Sequence, residues 1–149
     1  MKLIHMSDIH LTTPGNTIGG RDPNANFERA LAHVLQDHSD AELLVITGDL
    51  SDWGDRDDYV RLKSRLAALP MPTRVCIGNH DDRATFLDVF PECTDDAGFA
   101  QGTLDTSMGR CLFLDTWEPQ THAGHYCAAR KTWLDRQLAG HDGPFLIFM

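Results

Sequence analysis

The sequence has few basic residues for its length. Its 13 lysines and arginines stand against 22 aspartates and glutamates, which gives a formal net charge of −9 over 149 residues. A surface with this excess of acid repels phosphate backbones and anionic lipids over roughly 10 Å at physiological salt. We therefore exclude general nucleic-acid coating and adhesion to anionic membranes. A small charged substrate stays compatible with the charge if a metal reverses the local field.

Cysteines and long apolar runs are also scarce. The four cysteines (Cys76, Cys93, Cys111 and Cys127) form no Cys-x-x-Cys pair, so a disulfide framework is not expected. No apolar run approaches the roughly 20 residues of a membrane span, and the start MKLIHMSDIH has no small-residue cleavage site. With 42% hydrophobic and 23% charged residues the chain is not a disordered protein. We predict a cytoplasmic globular protein.

Short apolar runs alternate with stretches of helical periodicity, which is the pattern of an α/β fold with buried strands. The runs predict strands at 2–6, 42–47, 73–77, 110–115 and 144–149. Helices are expected between the first two strands, capped by Asn24 or Asn26, and around 59–69, 83–89 and 128–138. Trp133, Leu134 and Leu138 are expected to face inward. The stretch 93–107 is rich in Gly and Thr and predicts an extra strand or hairpin.

The last seven residues, GPFLIFM, have the character of a central strand after a Gly-Pro turn. A domain rarely ends on its most buried element. We therefore expect residues 1–149 to be the N-terminal portion of one longer domain. The bare edge of such a strand also predicts pairing with another chain, and hence an oligomer or aggregate.

Polar side chains follow each of the first three predicted strands. The blocks are Asp8-x-His10, Gly48-Asp49-x-x-Asp52 and Gly78-Asn79-His80-Asp81. The carboxyl ends of parallel strands share one edge of a sheet, which is where open α/β sheets bind their ligands. Carboxylates concentrated there need a cation, and Asp together with His suits Zn, Mn, Fe or Co. The sequence therefore predicts a metal site at this edge.

Two of the blocks have simpler interpretations when taken alone. Asp8 and His10 are a weak signal, and Asp52 could cap a helix that follows it. Asn79-His80-Asp81 is more specific, because neither helix formation nor capping calls for three such side chains after a strand. The pair His122 and His125 is a second metal candidate, although a loop position is the preferred interpretation.

Taken together and in this order, the three blocks resemble the first signature motifs of the calcineurin-like metallophosphoesterases. The extended stretch from Gly78 to Arg83 is most similar to the branch of cyclic-nucleotide and glycerophosphodiester phosphodiesterases. This resemblance implies an α/β fold of the metallophosphoesterase αββα sandwich type, of which the chain holds the N-terminal half with mostly parallel βαβ units. Two later histidine-bearing blocks of the family are absent, which again indicates an incomplete domain.

The resemblance also implies a metal-ligand set. Asp8, His10 and Asp49 would hold one divalent ion, and Asp49 would bridge to a second ion that also takes Asn79. The remaining ligands in the family are histidines of the absent blocks. We therefore expect the second site to be largely empty in this chain, and the chain itself to be weakly active or inactive.

Further roles follow from the same resemblance. His80 would stand beside the metals as the catalytic acid, with Asp81 fixing its tautomer and Asp52 orienting a metal ligand. Arg21, in a glycine-rich loop, is a candidate phosphate contact, although a solvated loop position explains it equally. Trp53 could stack on a base or pack beneath the following helix.

The implied function is hydrolysis of a small phosphodiester, such as a cyclic nucleotide or a glycerophosphodiester, by a metal-activated hydroxide. Three alternatives stay open: a phosphomonoesterase, protein phosphatase or nuclease of the same superfamily, a non-catalytic binding module with a decayed site, and a flavodoxin-like phosphoacceptor. The net charge of −9 argues against a polymeric nucleic-acid substrate. The intact metal-site residues argue against a decayed site.

Overall fold

Six strands and four helices alternate along the chain in the computed structural model, which describes residues 2–149. The strands are β1 (Leu3–Ser7), β2 (Leu43–Thr47), β3 (Thr73–Cys76), β4 (Gly102–Thr106), β5 (Gly109–Phe113) and β6 (Phe145–Phe148). The helices are α1 (Pro23–Asp37), α2 (Arg56–Ala67), α3 (Arg83–Val89) and α4 (Ala128–Ala139), with a 3₁₀ turn at Pro91–Cys93. None of the helices within residues 2–149 combines the length and the apolar character needed to span a bilayer.

The strands form two sheets of three. In the first sheet, β1, β2 and β3 are parallel neighbours in that order, which confirms the parallel arrangement predicted from the sequence. In the second sheet, β4 and β5 form an antiparallel hairpin and β6 pairs with β5 in parallel. The extra strand expected within 93–107 is β4.

The alternation of side chains along β2 explains the layered architecture. All five residues of β2 are buried, so both faces of the first sheet are covered. Leu44 and Ile46 point to a core shared with α1, α2 and α3, whereas Leu43 and Val45 pack with Cys111 and other side chains of the second sheet. Trp133 of α4 covers the opposite face of the second sheet. The order of layers is therefore helix, sheet, sheet, helix, as the resemblance implied.

Two details of the helices differ from the sequence-based expectation. The N-cap of α1 is Asp22, whose carboxylate accepts the N–H of Ala25 at 3.0 Å, and neither Asn24 nor Asn26 caps it. Pro23 suits the first helical position because it has no N–H to satisfy there. In α4, Leu138 is exposed rather than inward-facing, because the helix packs on the sheet mainly through Trp133.

The four cysteines, all within residues 2–149, form no disulfide. Cys76 and Cys111 are buried and Cys93 and Cys127 are partly exposed, all as free thiols. Burial raises the pKa of Cys76 to about 12, so this thiol is an inert core residue.

Candidate metal centre

The three sequence blocks begin at the carboxyl ends of three adjacent parallel strands. Ser7 of β1 stands beside Thr47 of β2, which stands beside Cys76 of β3. Main-chain hydrogen bonds continue past the strand ends, from the His10 N–H to the Asp49 carbonyl at 2.8 Å and from Gly48 N–H to the Cys76 carbonyl at 3.0 Å. The loops that carry the polar side chains are therefore held to one another as a continuation of the sheet.

The backbone at this edge is strained at the expected metal ligands. Asp8, His10 and Asp49 have positive φ angles of 55°, 44° and 46°. Side chains other than glycine adopt this left-handed conformation at a cost of roughly 1–2 kcal/mol per residue, with Asn, Asp and His the most tolerant. Such strain persists where the surrounding structure enforces it, and it is concentrated at functional sites.

Three potential ligand side chains converge at this edge. One ligand atom each from His10, Asp49 and His80 lies within 4.8 Å of the others. His10 Nε2 is 3.6 Å from Asp49 Oδ2, and the rings of His10 and His80 meet edge to face with centroids 4.8 Å apart. Asp8 lies outside this group of three but lines the same cleft as both histidines.

Asp52 contacts both histidines of the group. Its Oδ1 is 3.2 Å from His10 Nδ1. Its main-chain carbonyl accepts a hydrogen bond from His80 Nδ1 at 2.9 Å. The alternative of a helix cap is excluded for Asp52, because α2 begins at Arg56 with Asp55 in the N-cap position. Asp52 therefore fixes the orientation of two imidazole rings.

Asp81 has other partners than the expected His80 ring. Its buried carboxylate accepts hydrogen bonds from four donors: the N–H groups of Leu50 (3.1 Å), Ser51 (3.0 Å) and Gly78 (2.8 Å) and the hydroxyl of Tyr59 (2.9 Å). Burial raises the pKa of Asp81, and these donors oppose that rise. The expectation that Asp81 fixes the His80 tautomer is therefore wrong. Asp81 ties the loop after β2 to the loop after β3.

Gly78 is packed directly against Asp49. A Cβ at position 78 would lie 2.3 Å from both the N and the Oδ1 of Asp49 and 2.8 Å from the Cα of Gly48. No side chain fits there unless the metal-site loop moves. The glycine before Asn79 is therefore required by the close approach of the two loops.

Gly78→Ala is expected to lower the free energy of unfolding by about 1–3 kcal/mol, as overpacking does in a tight interior. The measurement is urea denaturation followed by circular dichroism. Gly102→Ala is the matched control, because a Cβ at Gly102 meets nothing within 4 Å and the residue has no positive φ. If the two variants were equally stable, the loop that carries Asp49 would move to accept the added Cβ without a loss in the free energy of unfolding.

A cleft of about 580 Å³ opens beside the cluster. Arg21 lines this cleft together with Asp8, His10 and His80. Trp53 is 77% exposed and is therefore not packed beneath the helix. It does not line this cleft either.

Asn79 faces a second, smaller pocket on the other side of the cluster, together with Gly48 and His122. The amide Nδ2 of Asn79 donates a hydrogen bond to His122 Nδ1 at 2.8 Å. The ring of His122 also lies 5.9 Å from that of His80, centroid to centroid. His122 therefore lies in a loop next to the site, which agrees with a substrate-side loop and not with a plain surface position.

Three buried or partly buried charged residues at the base of that loop have no role predicted from the sequence. Arg83 donates to both carboxylate oxygens of Asp115, at 2.6 and 2.9 Å, and to the Trp117 carbonyl at 2.6 Å. Arg130 donates to the Asp115 carbonyl at 2.8 Å and to that of Trp117 at 3.1 Å. Asp115 is fully buried and Arg130 nearly so. An aspartate directly after the apolar run of β5 was the only signal in the sequence that pointed here.

The donor set fits divalent metal ions. Carboxylates and imidazoles together are ligands for Zn, Mn, Fe or Co. Within residues 2–149, no lysine or arginine forms an ion pair with Asp49 or Asp52, whose partners are His10 and His80. A bound cation would supply positive charge beside these two carboxylates.

Comparisons with known proteins agree with this geometry. The chain is 36% identical to "Probable cyclic nucleotide phosphodiesterase" of Rhodopseudomonas palustris, over 99% of the chain and 56% of that protein. It is 29% identical to "Glycerophosphodiester phosphodiesterase GpdQ" of Enterobacter lignolyticus, over 100% of the chain and 56% of that protein. It is 28% identical to "3',5'-cyclic adenosine monophosphate phosphodiesterase CpdA" of Pseudomonas aeruginosa, over 97% of the chain and 52% of that protein.

The chain spans about half the length of the curated relatives that it matches. A sequence model described as calcineurin-like phosphoesterase matches residues 1–145. This match covers the three blocks, both sheets up to the start of β6 and all four helices. The chain therefore belongs to the calcineurin-like phosphoesterase family.

Proposed function

We propose that this chain forms the N-terminal part of a dinuclear metal-dependent phosphodiesterase that hydrolyses small phosphodiesters of the cyclic-nucleotide or glycerophosphodiester type. The observation that carries the proposal is the convergence of His10, Asp49 and His80 at the carboxyl edge of the first sheet. The names of the relatives, which are phosphodiesterases of both types, support the substrate class.

The metal-binding residues are assigned by chemistry and position. Asp8, His10 and Asp49 would hold one divalent ion, and Asp49 and Asn79 would contribute to a second. Two such ions, when bound, lower the pKa of a coordinated water and stabilise the attacking and leaving oxygens of an in-line displacement. The identity of the ions, among Fe, Mn, Zn and Co, stays a prediction.

The two metal sites are unequal in this chain. The first has three protein ligands within residues 1–149, and the second has only Asp49 and Asn79. Because metal affinity depends on the number and orientation of ligands, the 149-residue chain should hold the second ion weakly. We propose that activity requires the further length that its relatives have.

His80 is the proposed proton donor to the leaving oxygen. Its Nδ1 is engaged by the carbonyl of Asp52 at 2.9 Å, so Nε2 is the nitrogen left free on the cleft side. Because Nδ1 donates to this carbonyl, the ring can give a proton from Nε2 only in its imidazolium form, and the fixed ring would direct that proton constantly, which general acid catalysis requires. Arg21 on the same rim would bind a phosphate oxygen of the substrate.

A second role for His80 has its own support. Its ligand atom lies within 4.8 Å of those of His10 and Asp49, so His80 is close enough to bind metal itself. The two roles predict different outcomes when the ring is removed: loss of turnover alone for the acid, and loss of metal for the ligand.

The test uses the complete gene product that contains residues 1–149, assayed with Mn²⁺ on bis-p-nitrophenyl phosphate and on p-nitrophenyl phosphate. We expect preference for the diester. His80→Ala should lower kcat by about 10²–10⁴-fold, the usual contribution of a general acid, with unchanged metal content. His33→Ala, on the exposed side of α1, is the control and should change neither.

Each other outcome contradicts a part of the proposal. Preference for the monoester would indicate a phosphomonoesterase, and hydrolysis of neither compound would indicate a binding module. Equal losses of turnover and metal in His80→Ala would make His80 a ligand. The cytoplasmic location and the association of chains through the last strand stay predictions.

A further inference from the structure

The loop between β5 and α4 reaches across the edge of the first sheet to the metal-site residues. At its tip, His122 Nδ1 accepts a hydrogen bond from Asn79 Nδ2 at 2.8 Å. An amide nitrogen can only donate, so His122 Nδ1 is the unprotonated nitrogen and Nε2 carries the ring proton. This contact fixes the tautomer of the histidine and the rotation of the amide together.

The rotation of the amide decides which of its atoms is offered to a metal. With Nδ2 directed at His122, the oxygen Oδ1 of Asn79 is turned the other way, and within residues 2–149 it makes no hydrogen bond of its own. A divalent ion binds the oxygen of an asparagine, not its protonated nitrogen. We propose that His122 is a positioning residue that holds Asn79 with Oδ1 ready for metal binding. The inference rests on the proposed function, because the proposed function assigns Asn79 as a metal ligand.

Hydrogen bonds within the loop between β5 and α4 keep it in a fixed shape, so the loop can hold His122 against Asn79. The carbonyl of Thr116 accepts the N–H of His125 at 2.9 Å, and the hydroxyl of Thr121 accepts the N–H of Ala123 at 3.0 Å. Gly124 lies beside Thr116, where a Cβ would be in ordinary van der Waals contact with the Thr116 side chain at 3.6 Å. These contacts close the loop on itself around His122.

The base of the loop is anchored to the same segment that carries Asn79. The indole Nε1 of Trp117 donates to the carbonyl of Asp81 at 2.6 Å. Arg83 holds Asp115 and the Trp117 carbonyl and lies over the Trp117 ring, with its guanidinium carbon 4.7 Å from the ring centroid. Both anchors lie two to four residues after position 79 in the chain, so the base of the loop is held close to the segment that carries Asn79.

The experiment tests whether Nδ1 of His122, and not Nε2, is the atom that holds the Asn79 amide. His122→Asn places an acceptor oxygen where Nδ1 was, His122→Gln places one near the position of Nε2, and His122→Ala removes both. The first readout is the side-chain amide signal of Asn79 in NMR spectra of the 149-residue chain, without metal. The second is Mn²⁺ affinity and stoichiometry in the complete gene product, measured by titration calorimetry. His125→Ala is the control, because only the main chain of His125 is used.

We expect His122→Ala and His122→Gln to shift the Asn79 amide signal and to weaken the second Mn²⁺ by about 10–100-fold, the usual loss when a supporting hydrogen bond is removed. His122→Asn should restore both readouts, and His125→Ala should leave both as in the unmodified protein. An unchanged Asn79 signal in His122→Ala would overturn the inference. Recovery by Gln rather than Asn would also overturn it, because Nε2 would then be the functional atom. If the NMR results are as expected but the complete gene product does not hydrolyse the diester, the proposed function is refuted and the inference about His122 is not.

Discussion

Asp49→Asn is expected to abolish measurable Mn²⁺ binding by the 149-residue chain and to reduce diester hydrolysis by the complete gene product to background. Asparagine tolerates the left-handed φ of 46° at this position, and its Oδ1 can still accept the His80 N–H that Asp49 accepts at 3.0 Å. The substitution therefore removes charge from the site without removing its shape. Because loss of a supporting residue alone costs 10–100-fold in metal affinity, loss of a ligand shared by two ions should cost more than about 100-fold.

Equilibrium dialysis measures the loss of Mn²⁺ binding by the 149-residue chain. We expect the unmodified chain to bind one Mn²⁺ ion well and a second ion only weakly. Asp96→Asn is the control. Asp96 is exposed, and its substitution makes the same change of charge away from the site. Mn²⁺ binding by Asp49→Asn equal to that of the control would remove Asp49 from the ligand set. Two tightly held ions per 149-residue chain would contradict the proposal that the second site is incomplete.

Asp115→Ala is expected to destabilise the chain by about 3–5 kcal/mol, the usual cost of removing one partner from a buried ion pair. The side chains of Arg83 and Arg130 are 18% and 2% exposed, so Arg83 would lose its carboxylate inside the protein and Arg130 would keep only that of the partly exposed Glu118, 3.6 Å away. The N–H groups of Ala100 and Trp117 would lose an acceptor as well. The measurement is the free energy of unfolding from urea denaturation.

Asp105→Ala is the matched control for this prediction. Asp105 also forms a paired contact with one arginine, Arg110, but its side chain is 64% exposed. Water replaces such a contact readily, so the stability of this variant should stay close to that of the unmodified chain. Similar losses in the two variants would show that the buried pair stabilises the fold no more than a surface pair does.

The sequence was sufficient for the parts of the structure that depend on local pattern. The five apolar runs lie on β1, β2, β3, β5 and β6, and the run of β2, which is buried along its whole length, is the clearest case of consecutive apolar residues in a strand covered on both faces. The parallel order then brings three polar strand ends to one edge without further information. For this reason His10, Asp49 and His80 were identified from blocks more than thirty residues apart.

The remaining features depend on pairings between distant segments. Asp81 follows His80 directly in the chain, yet its carboxylate is turned to the N–H groups of the neighbouring loop, which only the folded chain brings near. His122 reaches Asn79 across 43 positions of sequence through a loop with no strong local signal. The cap of α1 was missed by two residues because Asp22 and Asn24 are equally good caps by residue type.

The positive φ angles at Asp8, His10 and Asp49 set a conflict between stability and function at these positions. Glycine at any of these positions would remove the backbone strain. It would also remove the side chain proposed to bind the metal, for which the strain is maintained. Selection for a more stable protein alone would therefore erode the metal centre, because glycine relieves strain at each of its three positions. A member of the family that has lost its enzymatic role should show glycine at these three positions before it shows any change in its core.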